Sequence, residues 1–176
     1  MSFPVKGFFN LIATVNLTLS LAAKMFCAEG NSIGIQLSNN LDVVKNYFKF
    51  CVDGKDVDRV AEFFAEDVVV HRPDCIAPIV GMEPFKKALK LNVTDRYESI
   101  HTTFQKEVVA VDVVVVVLKH QAKGSNTWHG FDVAGKDLAW TALTYFRFNT
   151  EGKIVEEIVE RNELFMAKQL GIIEYA

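Results

Sequence analysis

Two runs of alternating residues, joined by a four-residue turn, dominate the C-terminal part of this 176-residue chain. In the first run Leu138, Trp140, Ala142, Thr144, Phe146 and Phe148 alternate with Ala139, Thr141, Leu143, Tyr145 and Arg147. In the second, Ile154, Glu156, Ile158, Glu160 and Asn162 alternate with Val155, Glu157, Val159 and Arg161. A period of two sends successive side chains to opposite faces of a sheet, and Asn149-Thr150-Glu151-Gly152 supplies turn residues, so the stretch is expected to form a β-hairpin. Ile154 and Ile158 share their face with Glu156, Glu160 and Asn162. A wall of that mixed character suits a pocket better than a dry core.

The chain ahead of the hairpin supplies helices first and strands later. Leu41, Val44, Tyr47, Phe48 and Cys51 recur at helical spacing, with Asn40 placed to cap the helix and Gly54 to stop it. Asp56 opens a second short helix with Val60, Phe63 and Phe64 on its apolar side. Asp67 to His71 reads as a strand, broken by Arg72-Pro73-Asp74. After Gly81 a third helix runs from Met82 to about Leu91. From Ser99 onward the pattern is β-rich. Ala110-Val111-Asp112 forms a turn, and the apolar run Val113 to Leu118 is expected to be a strand covered on both faces. Glu163 to Gln169 reads as a final helical turn or two, stopped by Gly171.

The N-terminus has a different character. Lys6 precedes an uncharged stretch from Gly7 to Ala23 that ends in small residues, the pattern of a secretory signal peptide. The expected organisation is a signal peptide over residues 1–28, a Gly-, Ser- and Asn-rich linker over 29–39 and one folded domain over 40–176. The protein is then secreted or periplasmic, with no membrane span in its mature form. A net charge of -3 without a Lys/Arg cluster argues against nucleic-acid binding. Cys27, Cys51 and Cys75 include no C-x-x-C pair, which argues against a zinc or redox motif; Cys51 and Cys75 could pair in an exported protein.

The run from Tyr145 to Gly171 resembles the C-terminal signature of the SnoaL-like polyketide cyclases, or ester cyclases, of the nuclear transport factor 2-like superfamily. The matching pieces are Phe146-Arg147-Phe148, Gly152-Lys153-Ile154-Val155-Glu156 and Gln169-Leu170-Gly171, and the resemblance extends over roughly Leu41 to Gly171. It implies a cone-shaped α+β fold, a curved mixed sheet wrapped by N-terminal helices around a cavity. Val155, Val159 and the Val113–Leu118 run give more apolar sheet surface than one set of helices can cover, and sheets of this fold commonly pack face to face, so a homodimer with Val155, Val159 or Tyr145 near the interface is expected. The family's cyclases close rings on polyketide esters by an aldol-type reaction without a cofactor, using an acidic residue. At the matching position this chain has Asn162, and where the family usually has Trp it has Ile158. An amide cannot exchange a proton near neutral pH, so the role passes to Glu160, to His71 or to another group, or the protein only binds its ligand.

The candidate catalytic residues are therefore His71, Glu160 and Asn162. His71 closes a strand beside a turn, with Asp74 three residues on as an orienting carboxylate. The bland alternatives are an exposed turn for His71 and Asp74, and a rim ion pair for the glutamates. Asp74, Trp128, Trp140, Thr144, Phe146 and Ile158 are the expected pocket lining. His101, His120 and His129 sit on separate strands without metal-ligand spacing, so no metal site and no cofactor are expected. Two functions stay open: a cyclase, isomerase or hydrolase acting on a hydrophobic small molecule, and a carrier using the same cavity.

Overall fold

A computed structural model describes residues 36–174 together with Gly30, Ser32 and Gly34. The expected leader over residues 1–28 lies outside them. The chain divides into two units, Met1–Ser38 and Asn39–Ala176. The described residues of the first unit fall in the expected linker and are helical. Among the described residues no helix is long and apolar enough to cross a membrane.

The second unit begins with helix α1 (39–47). Asn40, expected as its cap, is instead buried inside the helix, where its Nδ2 donates to the Val111 carbonyl at 3.1 Å. A buried amide needs a partner, and this one ties the helix to a β-turn 71 residues away. A wider π-helical turn, Phe48–Asp53, continues α1 and ends at Gly54; a 3-10 turn, Val57–Glu62, follows. Then come β1 (Phe64–His71), β2 (Ile79–Val80), α2 (Met82–Leu89) and a second π-helical turn, Lys90–Asp95. Met82, Phe85 and Leu89 are the buried stripe of α2. The strands β3 (Tyr97–Val109), β4 (Val113–Gly124), β5 (Thr127–Trp128), β6 (Phe131–Asp132), β7 (Asp137–Phe148) and β8 (Ile154–Arg161) lead to α3 (Glu163–Gln169).

Six strands form one mixed sheet in the order β2-β1-β8-β7-β4-β3, and β5 pairs with β6 apart from it. Only the β1–β8 pairing in the sheet is parallel. This helices-then-sheet α+β architecture is the one the sequence implied. On β7 every even-numbered residue from Leu138 to Phe148 is buried. That face meets an aromatic cluster in which Tyr47 lies 4.8 Å from Phe64 and 6.2 Å from Phe146, ring centre to ring centre. In the hairpin turn, Asn149 Oδ1 accepts from the backbone N–H groups of Glu151 and Lys153 at 3.0 and 2.9 Å. Gly152 takes a φ of 76°, which any other residue would adopt only under strain.

The alternation expected for β8 is corrected by one residue. Phe148 pairs with Ile154, but Arg147 pairs with Glu156, which leaves Val155 as the extra residue of a β-bulge. The bulge resets the phase. Ile154, Glu157 and Val159 are buried and Arg161 is largely so, whereas Ile158 and Glu160 are exposed on the opposite face. Val159 thus belongs to the inner face and not to an outer interface. The apolar run on β4 also differs from expectation: Val114, Val116 and Leu118 are buried, while Val113, Val115 and Val117 are only half-buried on the outer face. Cys51 is buried and Cys75 exposed, and both are free thiols; burial pushes the Cys51 thiol up to about 12.

Candidate functional site

Between the helices and the inner face of the sheet lies a cavity of about 60 Å³. The end of β1 contributes Arg72, β8 contributes Glu157, Val159 and Arg161, β7 contributes Trp140 and Thr144, and β4 contributes His120. Their convergence follows from register. Glu157 lies opposite Phe146, Val159 opposite Thr144 and Arg161 opposite Ala142, while His120 lies opposite Trp140. Arg161 therefore stands between Glu157 and His120 along the inner face.

Glu157 is a carboxyl buried in that wall, with its side chain 3% exposed. Burial raises its pKa above the usual carboxylate range, and the charges of Arg72 and Arg161 pull the other way without cancelling it. Arg72 Nη2 lies 3.7 Å from Glu157 Oε2, an ion-pair distance rather than a hydrogen bond. Glu157 Oε2 and the Nε atoms of Arg72 and Arg161 are buried without hydrogen-bond partners. Native interiors seldom leave such atoms unpaired, so three of them around one cavity mark it as built for something polar. Burial and the Glu157 charge push the Tyr47 hydroxyl pKa well up, against the charge of Arg72.

His120 is the second titratable group of the wall. Its ring stacks on Trp140 at 5.0 Å, and Trp140 stacks in turn on Tyr97 at 5.3 Å. Burial, helped by the charge of Arg161, lowers its pKa from 6.5 to about 4, so the imidazole is neutral near pH 7. Its Nδ1 lies 3.0 Å from Thr102 Oγ1. A neutral imidazole next to a guanidinium can accept a proton; a carboxyl with a raised pKa can hold one and give it up.

The residues favoured from sequence are placed differently. His71 points to the outer face, half-exposed, with its Nε2 3.6 Å from Glu156 Oε1. Glu160 and Ile158 are exposed on that same face. Asn162 caps α3, its Oδ1 accepting from the Phe165 N–H at 3.1 Å. Asp74 pairs with Arg161 Nη2 at 2.9 Å. Trp140 and Thr144 line the cavity. Phe146 is in the core against Tyr47 and Phe48, and Trp128 is buried in β5 against His129. Arg72, Glu157 and Arg161 each adjoin a residue favoured from sequence, so most of the discrepancy is one of phase. In sequence His120 groups with His101 and His129 as histidines on separate strands without metal-ligand spacing. The signal for it was its even-numbered spacing from Leu118 and Ala122 on an inward face.

Beside the cavity, Asp74, His129 and Glu163 bring one potential ligand atom each within 4.8 Å of one another. Two carboxylates and an imidazole suit a divalent cation in kind. Arg161 Nη2, however, already bridges Asp74 Oδ1 at 2.9 Å and Glu163 Oε1 at 2.8 Å. That guanidinium neutralises the carboxylates and, together with Arg72, holds the Asp74 pKa below its ordinary value although burial alone would raise it.

A family model of SnoaL-like polyketide cyclases matches residues 42–170. Among solved structures, IdmH from Streptomyces antibioticus, assigned as a polyketide cyclase, superposes with a TM-score of 0.64 at 21% identity, over 75% of this chain and 98% of its own. A SnoaL-like polyketide cyclase from Agrobacterium tumefaciens gives 0.63 at 14% identity, over 75% and 98%. AclR from Streptomyces galilaeus, assigned as a hydroxylase, gives 0.67 at 15% identity, over 78% and 99%. At these identities the likeness is one of fold, and a fold of this kind carries more than one chemistry. Comparison with curated proteins gave no match.

Proposed function

Because this chain belongs to the SnoaL-like polyketide cyclase family, we propose that its cavity binds a compact carbonyl compound and moves protons on it with its own side chains. The observation that carries this reading is the arrangement of Glu157, Arg161 and His120 along one cavity wall. Neutral His120 removes a proton from the carbon next to a carbonyl. The guanidinium of Arg161 or Arg72 stabilises the enolate oxygen that forms. The enolate carbon then takes a proton, which is isomerisation, or attacks a second carbonyl, which is ring closure. In the second case Glu157, whose pKa burial raises, donates its proton to the new alkoxide. The site is smaller than the roughly 300–1,000 Å³ usual for drug-sized ligands. A volume of about 60 Å³ fits a small molecule with polar oxygen atoms better than an extended hydrophobic one.

The carrier reading keeps the same wall but moves no proton. It draws support from Asn162, which stands at the family's acid position and is committed to capping α3. Deuterium uptake from heavy water into methyl levulinate, followed by proton NMR, separates the two. The enzyme reading expects exchange above the buffer rate, reduced roughly 10²–10⁴-fold in His120→Ala, the size usual for acid–base catalysis. Perturbation of the cavity resonances by the ester with exchange at the buffer rate would favour the carrier.

The outer face of the sheet supports a second part of the proposal, a homodimer. Val115, Val117 and Tyr145 are half-buried there, and Leu143 and Ile158 are 47% and 37% exposed. These residues lie on adjoining strands, and contiguous apolar surface of this kind is commonly covered by a second copy.

A further inference from the structure

Thr102 and His120 are direct cross-strand partners on β3 and β4, and both point inward. Behind Thr102 stands Asp53, the last residue of the π-helical turn Phe48–Asp53. Its two carboxylate oxygens are both engaged by the same residue. Asp53 Oδ2 accepts from the Thr102 backbone N–H at 3.0 Å, and Asp53 Oδ1 accepts from Thr102 Oγ1 at 2.6 Å. The exposed ring of His101 is the other ionisable neighbour, with its Nδ1 3.8 Å from Asp53 Oδ2.

A threonine hydroxyl has one proton to give. An ionised carboxylate can only accept, so a 2.6 Å contact between Thr102 Oγ1 and Asp53 Oδ1 commits that proton to Asp53. Towards His120 the hydroxyl oxygen can then only accept. The 3.0 Å contact to His120 Nδ1 therefore requires the ring proton to sit on Nδ1. Nε2, across the ring, is left with its lone pair. We propose that Asp53, acting through Thr102, is a positioning residue that fixes His120 in the Nδ1–H form and so presents Nε2 as the cavity's proton acceptor. This deepens the reading of His120 as the base and rests on it for its function, but the tautomer itself is a property of the resting protein. The wider π-helical turn has a role here: it brings both oxygens of Asp53 to one threonine, a placement in keeping with the frequency of such turns at functional sites.

Substitution of Asp53 by Asn gives a sharp test. The backbone N–H of Thr102 can bond only to the amide oxygen of Asn. The amide nitrogen must then face Thr102 Oγ1 and donate to it, which turns the hydroxyl proton towards His120 Nδ1. The ring proton should move to Nε2. Two-bond proton–nitrogen correlation spectra of uniformly labelled full-length protein report which nitrogen is protonated, and His120→Gln identifies the signals. In the wild type, His120 should be protonated on Nδ1. In Asp53→Asn it should be protonated on Nε2. Thr102→Val should leave a mixture, and Thr102→Ser should restore the wild-type form. A wild-type ring protonated on Nε2, or a tautomer unchanged in both Asp53→Asn and Thr102→Val, overturns the proposal. If the spectra behave as expected, methyl levulinate exchange should fall roughly 10²–10⁴-fold in Asp53→Asn, as loss of the correct tautomer does in other proton-transfer enzymes. Correct tautomers without any exchange in the wild type would leave the positioning role standing and remove the enzymatic reading alone.

Discussion

A carboxyl and an imidazole buried on one wall give this protein two opposed dependences on pH. Folding lowers the His120 pKa to about 4 from 6.5. Between those values the unfolded chain binds the proton more readily, so stability is present above about pH 6.5 and is lost as pH falls towards 4. The loss is at most about 3 kcal/mol for a shift of that size. Glu157 works in the other direction. Its folded pKa is raised by burial, so protonation favours the fold, and stability falls as pH rises through the raised value. We expect His120→Gln to flatten the acid side of a thermal-melting profile and Glu157→Gln to raise the melting temperature more at pH 8 than at pH 5. Melts whose pH slopes match the wild type in both variants would contradict these assignments. From sequence, neither residue stood out. Burial is what makes Glu157 and His120 chemically unusual, and burial is settled by strands far away in the chain. Trp140 and Thr144 were legible because β7 alternates regularly from end to end and its inner face is apolar apart from Thr144 itself.

At the level of elements, the hairpin, its turn, the order of helices and strands and the turn at Ala110-Val111-Asp112 all follow from local patterns. Periodicity specifies that β8 is a strand, but its phase depends on pairing. The extra residue at Val155 is fixed by the ladders to β7 and to β1, where the register also shifts between Phe64 and Val69. An isolated reading of Ile154, Glu156, Ile158 and Glu160 has no access to that. Energetically, the observed phase puts Glu157 inside, and Arg72 and Arg161 offset part of that desolvation. Two adjacent substitutions test the phase. Val159→Lys places an ammonium among buried guanidiniums and should cost about 3 kcal/mol or more. Ile158→Lys, on the outer face, should change the stability of one protomer by less than about 0.5 kcal/mol. Urea denaturation curves measure both, and the reverse order of effects would restore the regular alternation.

For the molecule as a whole, the sheet has one side turned to the cavity and the other to the outside. If the outer side joins two copies, Leu143→Glu should convert a dimer to a monomer in sedimentation equilibrium at micromolar protein concentration while leaving the melting of the protomer cooperative. A wild-type monomer under the same conditions would end the dimer proposal. This surface was only half legible in the sequence. The valine run on β4 announced a strand with too much apolar area, but whether a helix or a second copy meets its outer side is not encoded by periodicity. The bulge at Val155 ties the two sides of the sheet together in a further way. β8 behaves like a message read in a frame: one frame turns Glu157, Val159 and Arg161 to the cavity and Ile158 to the outer face, and the other exchanges them. A slip by a single residue would put the acid on the outer face and grease in the cavity. If the cavity is the site of chemistry and the outer face that of self-association, as proposed, the two are heritable as a pair, because one irregularity in one strand sets the frame for both.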